Sequence, residues 1–221
     1  MDEQLKDTQA ERAAMEQLQA QLKSIFKNLP YEVPLILFTQ PGKNDLFSKA
    51  ARFLIRAVRE VTSKVTLREY DLNHPMAKKM NVNRTPTLLV DPDRYRIRWL
   101  GAPIGEEAKT FVEAVLMVGN RSSGLSQESL KVLNKITSPR AIKVFVSPSC
   151  PYCPQQAVNA LKAAVEKPDS LSLELIDIQA NPDLADQYSA QSVPQTYAND
   201  VLVAQGARLR NCSCFPSTRW S

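Results

Sequence analysis

The chain has 221 residues, 43% of them hydrophobic, enough for one large domain or two small ones with a buried core. Its net charge of +5 is modest, and Arg208, Arg210 and Arg219 in the acid-free tail leave only +2 on the rest. With no basic stripe interleaved with aromatics, nucleic-acid binding is not expected. No apolar run is long enough to span a membrane, the charged N-terminal stretch holds no signal-peptide core, and four cysteines make no secreted disulfide framework, so a cytoplasmic protein is expected.

Residues 2–27 read as an amphipathic helix, with Met15, Leu18, Leu22 and Ile25 at steps of three and four, stopped by Pro30 and Pro34. A helix lying on the neighbouring domain fits its mixed-sign polar face. Residues 33–38 form a short apolar run and predict a buried strand, followed by a loop that turns at Pro41-Gly42. A helix follows over 46–61, with Leu46, Phe47, Ala50, Phe53, Leu54, Ala57, Val58 and Val61 expected on one inner face. Then come a strand at 65–71 and a short helix at 76–80. Arg84-Thr85-Pro86 leads into a strand at 87–90, a turn at Asp91-Pro92-Asp93, and a strand at 95–100 ended by Gly101. A helix over 106–118 turns Phe111, Ala114, Val115 and Val118 inward.

The second half repeats this order. It reads helix 127–136, strand 141–146, helix 154–165, strand 171–178 and short helix 183–188. Val193-Pro194 then precedes strands at 195–198 and 201–205. A constant offset of 108 carries Pro86 onto Pro194, Leu22 onto Leu130 and Ile25 onto Leu133; it also carries Gly42 onto Cys150 and Asp45 onto Cys153. The expected fold is α/β, two tandem βαβαββα units, with a dithiol only in the second. That unit lacks its C-terminal helix, because the chain after Ala207 is basic and aperiodic, so one face of its sheet is expected to be poorly covered. The expected divisions are 1–119, 120–207 and a tail at 208–221.

Cys150-Pro151-Tyr152-Cys153 falls where strand 141–146 meets the helix beginning near Pro154. A thiol at a helix start faces unpaired backbone N–H groups and the positive end of the helix dipole, which favour the thiolate. Cys150 is therefore the expected nucleophile, exposed at the helix start. Cys153, one turn further on and shielded, is within bridging distance. Half a zinc site or two unrelated core cysteines are the alternatives, although Cys212 and Cys214 have poor spacing for a second ligand pair. Those two read as incidental tail thiols, and His74, the only histidine, reads as a surface residue in a turn.

Cys150-Pro151-Tyr152-Cys153 followed by Val193-Pro194 resembles the thioredoxin superfamily, in the Cys-Pro-Tyr-Cys form typical of glutaredoxins. The wider stretches 145–154, Ala185-Asp186-Gln187-Tyr188 and Gly101-Ala102-Pro103-Ile104-Gly105-Glu106-Glu107 resemble the tandem-thioredoxin protein disulfide oxidoreductases. They are also similar to the N-terminal domain of the flavoprotein component of alkyl hydroperoxide reductase. The resemblance implies thiol–disulfide exchange, with Cys150 attacking and Cys153 resolving. It implies a cis bond at Pro194, leaving the Val193 backbone to pair with an extended substrate peptide. It also brings Glu107 near the second unit's dithiol, where a carboxylate relays protons to Cys153 or tunes the thiolate. An exposed glutamate answering the dipole of its helix is the alternative for Glu107.

The resemblance further implies disulfide-bonded proteins or a peroxiredoxin as partners and a flavin-dependent reductase as electron source. No dinucleotide-binding glycine fingerprint is present, so the chain itself calls for no cofactor. Three departures stand out: Gly42 and Asp45 replace cysteines in the first unit, Ala198-Asn199-Asp200 replaces a common Asn-Gly hairpin turn, and the last helix is missing. Gly206-Ala207-Arg208-Leu209 also departs from the glutathione-binding turn of glutaredoxins. An electron-donor domain for a peroxide-reducing system and a non-catalytic binding module remain competing expectations.

Overall fold

A computed structural model describes residues 19–20 and 22–206 of the protein. Of the expected N-terminal helix, residues 19–20 and 22–26 are helical and its earlier part lies outside the described residues. So do the tail, the absence of a closing helix, and Cys212 and Cys214.

The elements run β1 (Val33–Phe38), α1 (Asp45–Val61), β2 (Val65–Tyr70), α2 (Pro75–Lys79), β3 (Thr87–Val90), β4 (Arg96–Leu100) and α3 (Glu107–Asn120). The order then recurs as α4 (Gln127–Leu133), β5 (Arg140–Val146), α5 (Cys153–Glu166), β6 (Leu171–Asp177), α6 (Pro182–Gln187), β7 (Gln195–Ala198) and β8 (Val201–Gln205). All eight strands form one sheet, ordered β2-β1-β3-β4-β6-β5-β7-β8. Each half contributes the same four-strand pattern, with one parallel pair joined by a helical crossover and an antiparallel hairpin. The sequence pattern implied a sheet for each unit. Instead, β4 pairs in parallel with β6, Trp99 opposite Leu175 and Ile97 opposite Leu173. All four side chains are buried. A free apolar edge at either strand would invite strand addition from another chain, and the pairing removes both edges at once.

The central strands are apolar on both faces because helices cover both. Val33, Leu35 and Leu37 of β1, Val144 and Val146 of β5, and Leu171, Leu173 and Leu175 of β6 belong to one core cluster, which also holds the inner faces of α1, α3 and α5. The alternate residues Ile36 and Phe38 pack with Ala77 and Val82 around α2. Phe145 and Ile176 pack with Ala190 and the partly buried Leu184 around α6. One face of the sheet thus carries α1, α3 and α5 and the other carries α2 and α6. α3 and α5 lie side by side.

The expected inner face of α1 is partly wrong. Its buried stripe is Ser48, Ala51, Ile55 and Val58, while Leu46 and Phe53 are exposed. The helix carries two apolar stripes, and the second, with Ala50, looks across a shallow groove towards Pro103 and Ile104. His74 is exposed as expected; its Nδ1 accepts a hydrogen bond from the Met76 N–H at 3.2 Å and its ring stacks on Tyr70.

Candidate active site

β5 delivers the chain to a tight turn. The Cys150 N–H donates to Ser147 O at 3.0 Å and the Cys153 N–H to Cys150 O at 3.3 Å. Cys153 is the first residue of α5, and no side chain caps that helix, so its unpaired N–H groups end where the two sulfurs lie. Gln156, in the first turn of α5, donates to Thr196 Oγ1 at 2.8 Å and locks the helix start onto β7. Cys150 and Cys153 are joined in a disulfide.

Cys153 is fully buried and Cys150 is 9% exposed, so the attacking sulfur is far less open than its place before the helix implied. The covering comes from the neighbouring loop: Cys150 Sγ lies 3.7 Å from Val193 O. The Val193-Pro194 bond is cis, as the resemblance implied, and so is Thr85-Pro86 in the first half. Pro151 and Tyr152 are exposed at the rim. Among the described residues, no group of three or more His, Cys, Asp or Glu is placed to hold a metal ion.

The corresponding place in the first half is closed. The Gly42 N–H donates to both carboxylate oxygens of Asp45. Asn44 Nδ2 donates to Thr85 O, the counterpart of Val193 O, and also to Ala180 O of the second half, each at 2.9 Å. Arg84 bonds Asn181 and Asp183. The groups that would face a substrate in this half are already used in holding the two halves together.

A third wall of the dithiol site comes from the first half. The Glu106 N–H donates to Pro148 O at 2.9 Å, so the start of α3 rests on the turn before Cys150. Gly105 permits this approach: its φ is +60°, and a Cβ there would stand 2.3 Å from Pro148 O. Glu107, next in line, is 1% exposed, and neither carboxylate oxygen is hydrogen-bonded among the described residues. The exposed, dipole-answering alternative is therefore excluded. Burial pushes the Glu107 carboxyl up to about 7, with Asp177 and Glu106 adding to the rise; the Thr110 hydroxyl opposes it from close by without an ordinary hydrogen bond.

Asp177, at the end of β6, is also 1% exposed and was not foreseen. Its Oδ1 accepts from the Gln179 N–H at 2.9 Å, while its Oδ2 has no partner among the described residues. Burial raises its carboxyl to about 6, against the lowering effect of the Gln179 and Ala180 N–H groups. Period-two alternation held the signal, since Asp177 is in phase with Leu171, Leu173 and Leu175 and so had to point into the α3/α5 face.

Residues 140–211 match the thioredoxin domain family. A probable thioredoxin of Methanothermobacter thermautotrophicus is 38% identical over 69 residues, covering 31% of this chain and 81% of that protein. The chain belongs to the thioredoxin family. Its thioredoxin fold extends through both halves. A protein disulfide oxidoreductase from Aeropyrum pernix aligns with a TM-score of 0.77 at 24% identity, over 88% of each chain. The N-terminal domain of the alkyl hydroperoxide reductase AhpF of Enterococcus faecalis gives 0.77 at 26% identity, over 88% of this chain and 95% of that one. The full-length alkyl hydroperoxide reductase AhpF of Pseudomonas aeruginosa is 26% identical over 86% of this chain, which spans about a third of that relative (34%). At family level this thioredoxin-fold protein is an oxidoreductase with a redox-active disulfide.

Proposed function

We propose that the chain exchanges thiols and disulfides with partner proteins through Cys150 and Cys153. The Cys150 thiolate attacks one sulfur of a substrate disulfide. That bond breaks, its electron pair leaves on the other substrate sulfur, which takes up a proton, and a mixed disulfide remains on Cys150. Cys153 loses its proton and attacks Cys150 Sγ. The second substrate sulfur leaves with the electron pair and is protonated, so two electrons have passed from dithiol to substrate. The observation that carries this reading is the pairing of a fully buried sulfur with a marginally accessible one at an uncapped helix start. The residues beside Cys150 fit the same reading. Val193 offers its backbone to an extended peptide next to Pro194, and Pro151 and Tyr152 shape the rim. Glu107 supports the reaction as a buried carboxyl that holds or releases a proton near neutrality.

In this reading residues 1–119 form the cysteine-free supporting unit, 120–207 the active unit and 208–221 a tail. The substrates are disulfide-bonded proteins in the cytoplasm. A second reading, as electron-donor domain to a peroxiredoxin with a flavin-dependent reductase upstream, draws on the likeness over 86% of this chain to the Pseudomonas alkyl hydroperoxide reductase.

Equilibration in glutathione or dithiothreitol buffers, with alkylation and mass spectrometry, gives the potential of the Cys150–Cys153 couple. A potential near the thioredoxin value of about −270 mV identifies a reductase that needs a reducing partner, and one near the isomerase value of about −180 mV a disulfide-forming or shuffling enzyme. Cys150→Ser is expected to abolish exchange. A variant that still reduces substrate, or a dithiol that never oxidises at any poise, sinks the reading.

A further inference from the structure

We propose that Asp177 is a positioning residue for this exchange: it and Glu107 form one buried proton-holding pair beside the dithiol, in which Asp177 fixes the protonation state that Glu107 presents to Cys153. This rests on the thiol–disulfide reading above.

The fold brings the two acids together from opposite halves. Asp177 ends β6 on the face that carries α3 and α5. It pairs in register with Val146, the last residue of β5 before the dithiol turn. Glu107 opens α3, the helix packed alongside α5, and α5 begins at Cys153. Gly101 closes the distance from the other side: with φ +110°, its missing Cβ would stand 2.7 Å from Asp177 Cβ and 3.4 Å from Oδ2. Three carboxylate oxygens of the pair have no hydrogen-bond partner among the described residues, although each residue is only 1% exposed.

Two ionised carboxylates in such a place repel each other and lack solvation, so the pair favours retaining a proton. The charges acting on Glu107 are those of Asp177 and Glu106. Lys109, on the same helix, is held by Glu106 at 2.9 Å on the exposed side. From α5 and its turn, the titratable groups are the sulfurs of Cys153 and Cys150. Each buried carboxyl disfavours its own charged form, so placing two of them here carries a cost that packing alone does not require.

During resolution the Cys153 thiol must lose its proton as its sulfur forms the bond to Cys150 and the substrate sulfur departs with the electron pair. Glu107 in its ionised form takes that proton, and in the reverse direction it returns it. Asp177, ionised beside it, raises the proton affinity of Glu107 and so sets the pH at which this transfer is available.

Carbon-detected NMR titration of the side-chain carboxyls of the full chain, oxidised and reduced, tests this together with the pH profile for reduction of a self-quenched disulfide peptide. In Asp177→Asn the Glu107 midpoint is expected to fall by about one pH unit or more, through loss of the like charge. The limb of the rate profile that disappears in Glu107→Gln should move down with it. A Glu107 midpoint that stays in place, or one that moves while the rate profile does not, overturns the proposal. Should Asp177→Asn not fold, Glu107→Gln supplies the reciprocal test: the Asp177 midpoint must fall, and a fixed one overturns the pairing. Wild-type protein that reduces no peptide overturns the exchange reading itself, a result distinct from an active wild type with an indifferent Asp177→Asn.

Discussion

Glu107 and Asp177 are acids that the fold holds out of water, and that alone makes stability depend on pH. Their folded pKa values, about 7 and about 6, lie above the ordinary 4.5 and 3.8. A raised folded value means that the folded state keeps protons the unfolded chain has released. The associated stability is fully present below the ordinary values and is lost as pH rises through 6 for Asp177 and 7 for Glu107. For Glu107, nearly inaccessible to solvent, the difference corresponds to about 3 kcal/mol at most. Glu107→Gln carries no charge at any pH, so its urea midpoint should exceed that of wild type near about pH 8 and lose that advantage near about pH 5. Identical pH slopes for the two proteins would show that Glu107 does not ionise within the fold. At this scale the sequence told only part of the site. Cys150 and Cys153 were legible because a two-residue gap at a strand–helix junction has few other uses. Glu107 came only through resemblance, since a glutamate at a helix start ordinarily faces water. Asp177 was hidden among apolar strand residues, although its phase with three leucines pointed it inward.

The turn from Gly101 to Glu107 does more than close β4. It lays the first half's backbone directly against the dithiol turn, and both of its glycines have positive φ. Gly105→Ala adds a methyl that collides with Pro148 O and forces an L-residue into a left-handed conformation, which alone costs about 1–2 kcal/mol. The variant is expected to melt at lower temperature and, because the strain falls on the turn that leads to Cys150, to shift the reduction potential of the dithiol. An unchanged potential in a destabilised protein would mean that the turn supports the fold but not the site. Elements were read well where burial on both faces leaves one pattern. β1, β3, β7 and β8 coincide with the expected spans because apolar runs there stop at prolines, glycines or turn residues. α1 misled for the converse reason: it has more apolar positions than one buried stripe can hold, and composition cannot say which stripe meets the sheet.

Across the whole molecule, the decisive feature is the β4–β6 seam, which makes one eight-stranded sheet of two repeats. The repeat was legible from its offset, but the seam was not, because Ile97, Trp99, Leu173 and Leu175 look like residues of any buried strand. A single core cluster runs from Leu22 and Phe26 through Trp99 and Phe111 to Leu161 and Ala198. No layer of polar side chains divides it among the described residues, so the halves are expected to unfold together. Trp99, fully buried on β4 opposite Leu175, reports on the seam once Trp220 is replaced by Phe. Its fluorescence and the far-ultraviolet circular dichroism should then follow one urea transition. The stronger test removes the side chain. Trp99→Ala should cost about 3–5 kcal/mol through the cavity it leaves. If the sheet is one cooperative unit, that loss reaches β5, and the amides of Val144 and Val146 should exchange with solvent correspondingly faster, although Trp99 belongs to the other half. Unchanged protection in β5 would mean that the active half folds independently, and that the first half's contribution to the dithiol site is confined to the docked turn that carries Glu107.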